Sequence, residues 1–233
     1  MSGPLPQAEE QAQPLRLLET VAVAALLTAI VCIWLFGWIA GEMLEGDTRA
    51  FDFAIRNWVH GFASPGLTRA MTAISLLGYD VLIVELVVAV VIFLRLRWRR
   101  AAAWLAVSMA GALALDLALK FAFRRQRPQP FFGDAPHSFS FPSGHALSSF
   151  VFYAVLAGLI AQRIRPQALR VAVGAAAGAV IAAIGLSRIY LGVHYPSDVI
   201  AGYLAAAIWV SALLLLDHVR KVRKTRLAAN ERE

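Results

Sequence analysis

Three short segments of this 233-residue chain carry side chains that could hold and attack a phosphorus atom. The first, SRIYLGVHYPSD at 187–198, puts a Ser-Arg pair, a His and an Asp in one short span. Arg188 offers a planar fork of donors suited to phosphate oxygens. His194 can act as a nucleophile, and Asp198, four residues on, can hold its imidazole in one tautomer. Pro196 favours the first turn of a helix, which puts His194 just outside that helix and Asp198 just inside it. The second segment is FPSGH at 141–145. Gly144 permits close backbone approach where an apolar run opens, so free N–H groups and a positive dipole end form an anion site in outline. Ser143 adds a hydroxyl donor and His145 a proton donor; read alone, the same residues describe a helix cap with an incidental His. The third, KFAFRRQRP at 120–128, supplies Lys120 and Arg127, which alone read as cations snorkelling from a helix end.

The elements that must position these residues are membrane helices. Hydrophobic residues make up 59% of the chain, too many for an ordinary soluble domain. Apolar runs at 17–40, 67–94, 101–121, 145–162, 171–186 and 197–216 predict an all-α bundle of six transmembrane helices, since a core of about 30 Å takes about 20 helical residues. A signal peptide is the alternative for 17–40, but only Arg16 precedes the run as a cation and the run is long for an h-region. The Gly and Ala of 171–186 are expected to allow close helix packing. Residues 1–16 read as a disordered N-terminal tail, 17–217 as the membrane domain and 218–233 as a basic cytoplasmic tail. Between spans one and two, 44–64 reads as an amphipathic interfacial helix. Its apolar stripe is Phe51, Ile55, Trp58, Val59 and Phe62, with Asp47 as a cap and Pro65-Gly66 as the stop. A helix packed over the bundle with no lipid role fits the same pattern.

The formal net charge of +7 does not point to nucleic acid, because the basic residues fall between and after apolar runs. With both termini cytoplasmic, 14 of the 22 Lys and Arg lie inside, as the positive-inside rule requires. All three chemistry-bearing segments then fall on the outer face. Cys32 is the single cysteine, so no intrachain disulfide is expected. No His/Cys/carboxylate group has zinc-like spacing, so neither metal nor cofactor is expected. Asp116 is placed to pair with Lys120 one helical turn on, and Glu85 is an intramembrane carboxylate whose role the sequence leaves open.

Together the three segments resemble the phosphatidic acid phosphatase type 2 superfamily. The pattern is Lys120, six residues, Arg127-Pro128; Pro142-Ser143-Gly144-His145; and Ser187-Arg188, five residues, His194, three residues, Asp198. The resemblance covers about Leu67 to Leu216 and implies a metal-independent phosphatase of membrane lipids. Lys120, Arg127, Ser143, Gly144 and Arg188 would bind phosphate. His194 would form a phosphohistidine, oriented by Asp198, and His145 would protonate the leaving group and then activate water. The implied location is a plasma membrane of bacterial type, with the site facing the periplasm or exterior. The implied partners are membrane lipids and a lipid phosphate: undecaprenyl pyrophosphate, with phosphatidylglycerophosphate and phosphatidic acid close behind, or a lipid A phosphate. A phosphotransferase passing the same phosphoryl group to another lipid is the alternative within this chemistry. A transporter is the alternative outside it, disfavoured because the charged motifs cluster at one face and no inverted repeat is evident.

Overall fold

The computed structural model describes residues 6–134 and 137–230, with side chains for 19–134 and 137–223. Eight helices follow in order: α1 (Pro6–Glu45), α2 (Arg49–His60), α3 (Pro65–Leu76), α4 (Leu82–Arg95), α5 (Arg99–Phe123), α6 (Gly144–Ala161), α7 (Gln167–Tyr190) and α8 (Pro196–Asn230). There is no strand among the described residues. Among the described residues, five stretches are long and apolar enough to cross a membrane: Glu19–Glu45, Arg99–Phe123, Gly144–Ala161, Gln167–Tyr190 and Pro196–Arg223.

The run expected as one helix over 67–94 is instead α3 and α4, separated by a turn at 77–81. Gly78 and Asp80 favour neither helix nor bilayer. Gly78 is also pressed against its neighbours: a Cβ there would lie 2.6 Å from Ile184 and 3.0 Å from the His145 ring. The break frees backbone groups, and the Tyr153 hydroxyl from α6 lies 3.3 Å from the Leu77 carbonyl and 2.8 Å from Glu85. Glu85 is thereby tied to α6, beside a cavity of about 350 Å³ lined by apolar side chains of α4 and α6.

The core lies among α4, α5, α6 and α8, built on Leu105, Ala112, Leu147, Val151 and Ala206. Outward faces of α1 and α4 carry exposed Val, Leu, Ile and Trp, as lipid-facing surfaces do. α1 packs along α8, and α6 packs on α5, α7 and α8. Of the α7 glycines, Gly185 packs closely, where a Cβ would meet the Tyr203 hydroxyl of α8, while Gly174 and Gly178 face open space. The tail expected to be disordered over 1–16 lies outside the described residues for 1–5, and from Pro6 the chain is helical. At the other end α8 continues to Asn230, so the basic segment from 218 extends the last helix as far as it is described.

α2 packs on the rest of the molecule through Asp52 and Arg56 and not through its apolar stripe. Asp52 and Arg56 are buried, at 0% and 5% exposure, whereas Phe51 (47%), Trp58 (66%) and, just beyond the helix, Phe62 (59%) point outward. Of the predicted apolar stripe only Val59 is buried, with Ile55 partly so. The reason lies in what α2 covers: loops full of backbone carbonyls and charged side chains, which polar groups satisfy and apolar ones cannot. Asp47 does not cap the helix; Thr48 occupies that position without a side-chain bond. Pro65 does not stop α2, which ends at His60. It opens α3 behind Ser64, whose hydroxyl accepts from Leu67 N at 3.3 Å.

Candidate active site

The end of α5, the loop that follows it, the start of α6, the α3–α4 turn and the α7–α8 connection meet at one end of the bundle. Each sits there for a local reason. α5 stops at Phe123 because Arg124 turns left-handed at φ 47°, so the loop 124–143 folds back over the helix end. Ser143 caps α6, and its N–H donates to Asp198 O at 2.9 Å, which joins the start of α6 to the first turn of α8. Gly192, at φ 77°, turns the chain between α7 and α8 so tightly that a Cβ would strike Phe131 N at 2.6 Å.

His194 is fully buried between these parts. Its Nδ1 faces Asp198 Oδ2 at 3.3 Å and Ser140 Oγ at 3.4 Å, and Ser140 Oγ also hydrogen-bonds Asp198 Oδ2. The carboxylate beside Nδ1 assigns the hydrogen to that nitrogen and leaves the lone pair on Nε2. That lone pair meets Arg127 Nη1 at 2.9 Å, and the same nitrogen donates to Val193 O at 2.9 Å. Burial, reinforced by the charges of Arg127 and Arg188 and opposed by Asp198, lowers the His194 pKa to about 3. The imidazole is therefore neutral at physiological pH, as a nucleophile must be.

The remaining motif residues converge on this ring. Lys120 is buried, bonded to Asp116 and donating to Pro142 O at 3.1 Å. Gly144 lies against that pair, since a Cβ there would sit 2.9 Å from the Asp116 carboxylate and 3.0 Å from Lys120 Nζ. Arg188 reaches Ser75 of α3 through Nη1, while its buried Nε has no partner among the described residues. His145 stacks on Tyr79 of the α3–α4 turn, with ring centroids 5.4 Å apart. Its buried Nε2 also has no partner among the described residues, and the charges of Arg188, Arg127 and Lys120 bear on it. The fold thus brings together all eight residues singled out from the sequence: Lys120, Arg127, Ser143, Gly144, His145, Arg188, His194 and Asp198. Buried polar atoms without partners are costly. These two, on Arg188 and His145, lie near the cations Lys120 and Arg127, a grouping suited to a multi-oxygen anion.

Sequence reasoning missed Ser140, Arg125, Asp52, Ser75 and Tyr79. Burial works against the Arg125 charge, but Asp198 and Asp52 outweigh it and hold the guanidinium more firmly protonated than usual. The run Arg124-Arg125-Gln126-Arg127 contained the signal, but spacing could not say which arginines turn inward. Asp52 lies off the apolar stripe of its helix, and nothing local in the sequence says what it faces.

Comparison with known proteins gives the family. The family model of the PAP2 superfamily matches residues 101–221. Phosphatidylglycerophosphatase B of Bacillus subtilis is 32% identical over 173 residues, covering 71% of this chain and 82% of that protein. Lipid A 1-phosphatase of Rhizobium johnstonii is 37% identical over 133 residues, but the match spans 53% of this chain and 49% of that protein. Among solved structures, the transmembrane PAP2 type phosphatidylglycerolphosphate phosphatase from Bacillus subtilis superposes with a TM-score of 0.73 over 84% of this chain and 96% of that one, at 24% identity. That last likeness speaks for the fold.

Proposed function

From the premise that the chain belongs to the PAP2 superfamily, we propose that it is a membrane lipid phosphate phosphatase working through a phosphohistidine on His194. One observation carries this reading: a neutral, buried His194, oriented by Asp198, shares a pocket with His145 and the cations Lys120, Arg127 and Arg188. Phosphoryl transfer asks the protein mainly for positioning and charge neutralisation, and this arrangement supplies both. The substrate phosphate takes the place now filled by the Arg127 contact to His194 Nε2. Its oxygens are held by Lys120, Arg127, Arg188, the Ser143 hydroxyl and the Gly144 N–H.

In the first step Nε2 forms a bond to phosphorus while the bond from phosphorus to the lipid oxygen breaks, and His145 gives that oxygen its proton. Asp198 stabilises the positive charge that develops on the His194 ring. In the second step His145 takes a proton from water, the hydroxide oxygen bonds to phosphorus, and the P–N bond breaks to release orthophosphate. The three fixed cations do the work a divalent metal does elsewhere, so turnover is expected to be metal-independent.

In the membrane, α3 and α4 together make one crossing beside the five long helices, giving six, with both termini cytoplasmic and the site at the outer face of a plasma membrane. At about 1.5 Å per residue neither α3 nor α4 spans about 30 Å alone, while the two in succession do. α2 lies at the interface with its aromatic residues toward lipid. Phosphatidylglycerophosphate is the first substrate to try, given the breadth of the match to phosphatidylglycerophosphatase B; undecaprenyl pyrophosphate and phosphatidic acid follow.

The deciding experiment measures orthophosphate release from a panel of these lipids by the purified protein beside His194→Ala and His145→Ala. Release by the wild type, with loss of at least about 10³-fold in each variant at unchanged folding, is expected. Full activity in His194→Ala refutes the nucleophile. Transfer of phosphate to a second lipid without orthophosphate release identifies a phosphotransferase.

A further inference from the structure

We propose that Arg125 and Asp52 are positioning residues for the catalytic imidazole: Arg125 pins Asp198 from the side away from His194, and Asp52 pins Arg125 while capping the helix that carries Asp198. The inference rests on the phosphatase reading above, in which Asp198 orients His194.

A carboxylate can swap its two oxygens by rotating about one bond. An acid that must hold a single imidazole hydrogen needs that rotation stopped. Asp198 divides its oxygens. Oδ2 takes the His194 side, with His194 Nδ1 at 3.3 Å, the Ser140 hydroxyl, and Tyr195 N at 2.9 Å. Oδ1 accepts from Arg125 Nη1 at 2.6 Å. The guanidinium is itself fixed at every arm that matters. Nη1 also donates to Ser197 Oγ at 2.8 Å, and Nη2 donates to Asp52 Oδ2 at 2.7 Å and Thr48 Oγ1 at 3.3 Å. Its flat face lies over the Tyr195 ring at 4.2 Å. A forked donor spanning two carboxylates is what arginine does and lysine does not.

Asp52 completes the clamp from α2. Its Oδ1 accepts from Ser197 N at 2.9 Å and its Oδ2 from Ser197 Oγ at 2.7 Å. Ser197 lies in the first turn of α8, where N–H groups lack partners in their own helix. Asp52 therefore acts as an N-cap supplied from 145 residues away, with its charge at the favourable end of the helix dipole. α2 holds the site at a second point: the Arg56 guanidinium donates to Gln129 O and, at 3.2 Å, to Gly192 O, on the two loops that carry Arg127 and His194. The buried face of the helix whose other face is aromatic and exposed thus sets the position of the orienting acid.

An ion-pair network that merely held α2 to α8 would change stability alone. The two roles separate in kinetics. The proteins to compare are full-length wild type, Arg125→Lys, Asp52→Asn, Asp198→Asn and the Arg125→Lys/Asp198→Asn double variant in detergent micelles, with kcat, KM and thermal midpoint measured on a lipid phosphate the wild type hydrolyses. Arg125→Lys is expected to lower kcat about 10- to 100-fold with KM changed less than about 3-fold, as loss of an outer-shell partner does. Asp52→Asn is expected to lower kcat about 10-fold. The double variant is expected to fall no more than about 3-fold below Asp198→Asn, because Arg125 acts through Asp198 and residues in one network do not add. Wild-type kcat in Arg125→Lys and Asp52→Asn, or losses that multiply in the double variant, overturn the proposal while leaving the phosphatase reading intact. If Arg125→Lys fails to fold, Asp52→Asn in the same cycle decides. A wild type that releases no phosphate from any lipid overturns both.

Discussion

Replacing Gly144 by alanine tests the pocket by geometry alone. The position is helical, and alanine there brings better helix propensity, by up to about 1 kcal/mol and less at a helix start. The new methyl, however, would sit 2.9 and 3.0 Å from the Asp116 carboxylate oxygens and 3.0 Å from Lys120 Nζ, where ordinary Cβ contacts begin near 3.4 Å. The Asp116–Lys120 pair must therefore retreat by about 0.4 Å, in a packed region where such overfilling costs about 1–3 kcal/mol. The clash outweighs the propensity gain, so the thermal midpoint falls. The displaced atom belongs to Lys120, one of the cations proposed to hold the phosphate. A misplacement of about 1 Å costs about 10²-fold in rate, so about 0.4 Å should cost on the order of 10-fold in kcat/KM. Gly158→Ala on the same helix is the control: nothing lies within 4 Å of its Cβ position, so it should leave activity alone and hold or raise the midpoint. Phosphate release and thermal unfolding in the same micelles read both quantities. Gly144→Ala at wild-type rate and stability would refute the argument that Gly144 is required by the Asp116–Lys120 pair.

Four further outcomes are expected. The His194 pKa lies at about 3 in the folded protein, below its ordinary value near 6.5, so the unfolded chain binds more protons between those values. His194 should therefore destabilise the fold as pH falls from about 6.5 towards 3, and His194→Gln should flatten the decline of the midpoint over that window; an unchanged slope would show that the ring is not held neutral. Activity should survive excess EDTA, and loss restored by a divalent ion would count against the metal-free mechanism. Glu85→Gln keeps an acceptor for Tyr153 away from the cationic pocket, so phosphate release should stay within about 2-fold of wild type; a larger loss would give Glu85 a part in turnover. Ser140→Ala removes one of the bonds on Asp198 Oδ2 and should lower kcat about 10-fold with little change in KM, which steady-state kinetics will check.

The sequence by itself determined the helical class, the five long apolar helices, and the three motifs whose eight residues the fold brings together. Membrane helices announce themselves by length and composition, and phosphate chemistry demands particular side chains at particular spacings, so both are written locally. What only the tertiary structure decided depends on what each element faces. The run at 67–94 reads as continuous in hydropathy, yet Gly78 must pass within contact distance of His145 and Ile184, and the helix breaks there. α2 has a clear apolar stripe, yet its polar side turns inward because loops with unsatisfied carbonyls lie beneath it and its aromatic side meets the surroundings. Arg125 and Arg127 stand two residues apart in one basic run, and only the fold of loop 124–143 sends one to Asp198 and the other to His194. Periodicity marks which residues share a face; what that face will touch is set by segments more than 60 residues away, through hydrogen bonds that buried charges cannot do without.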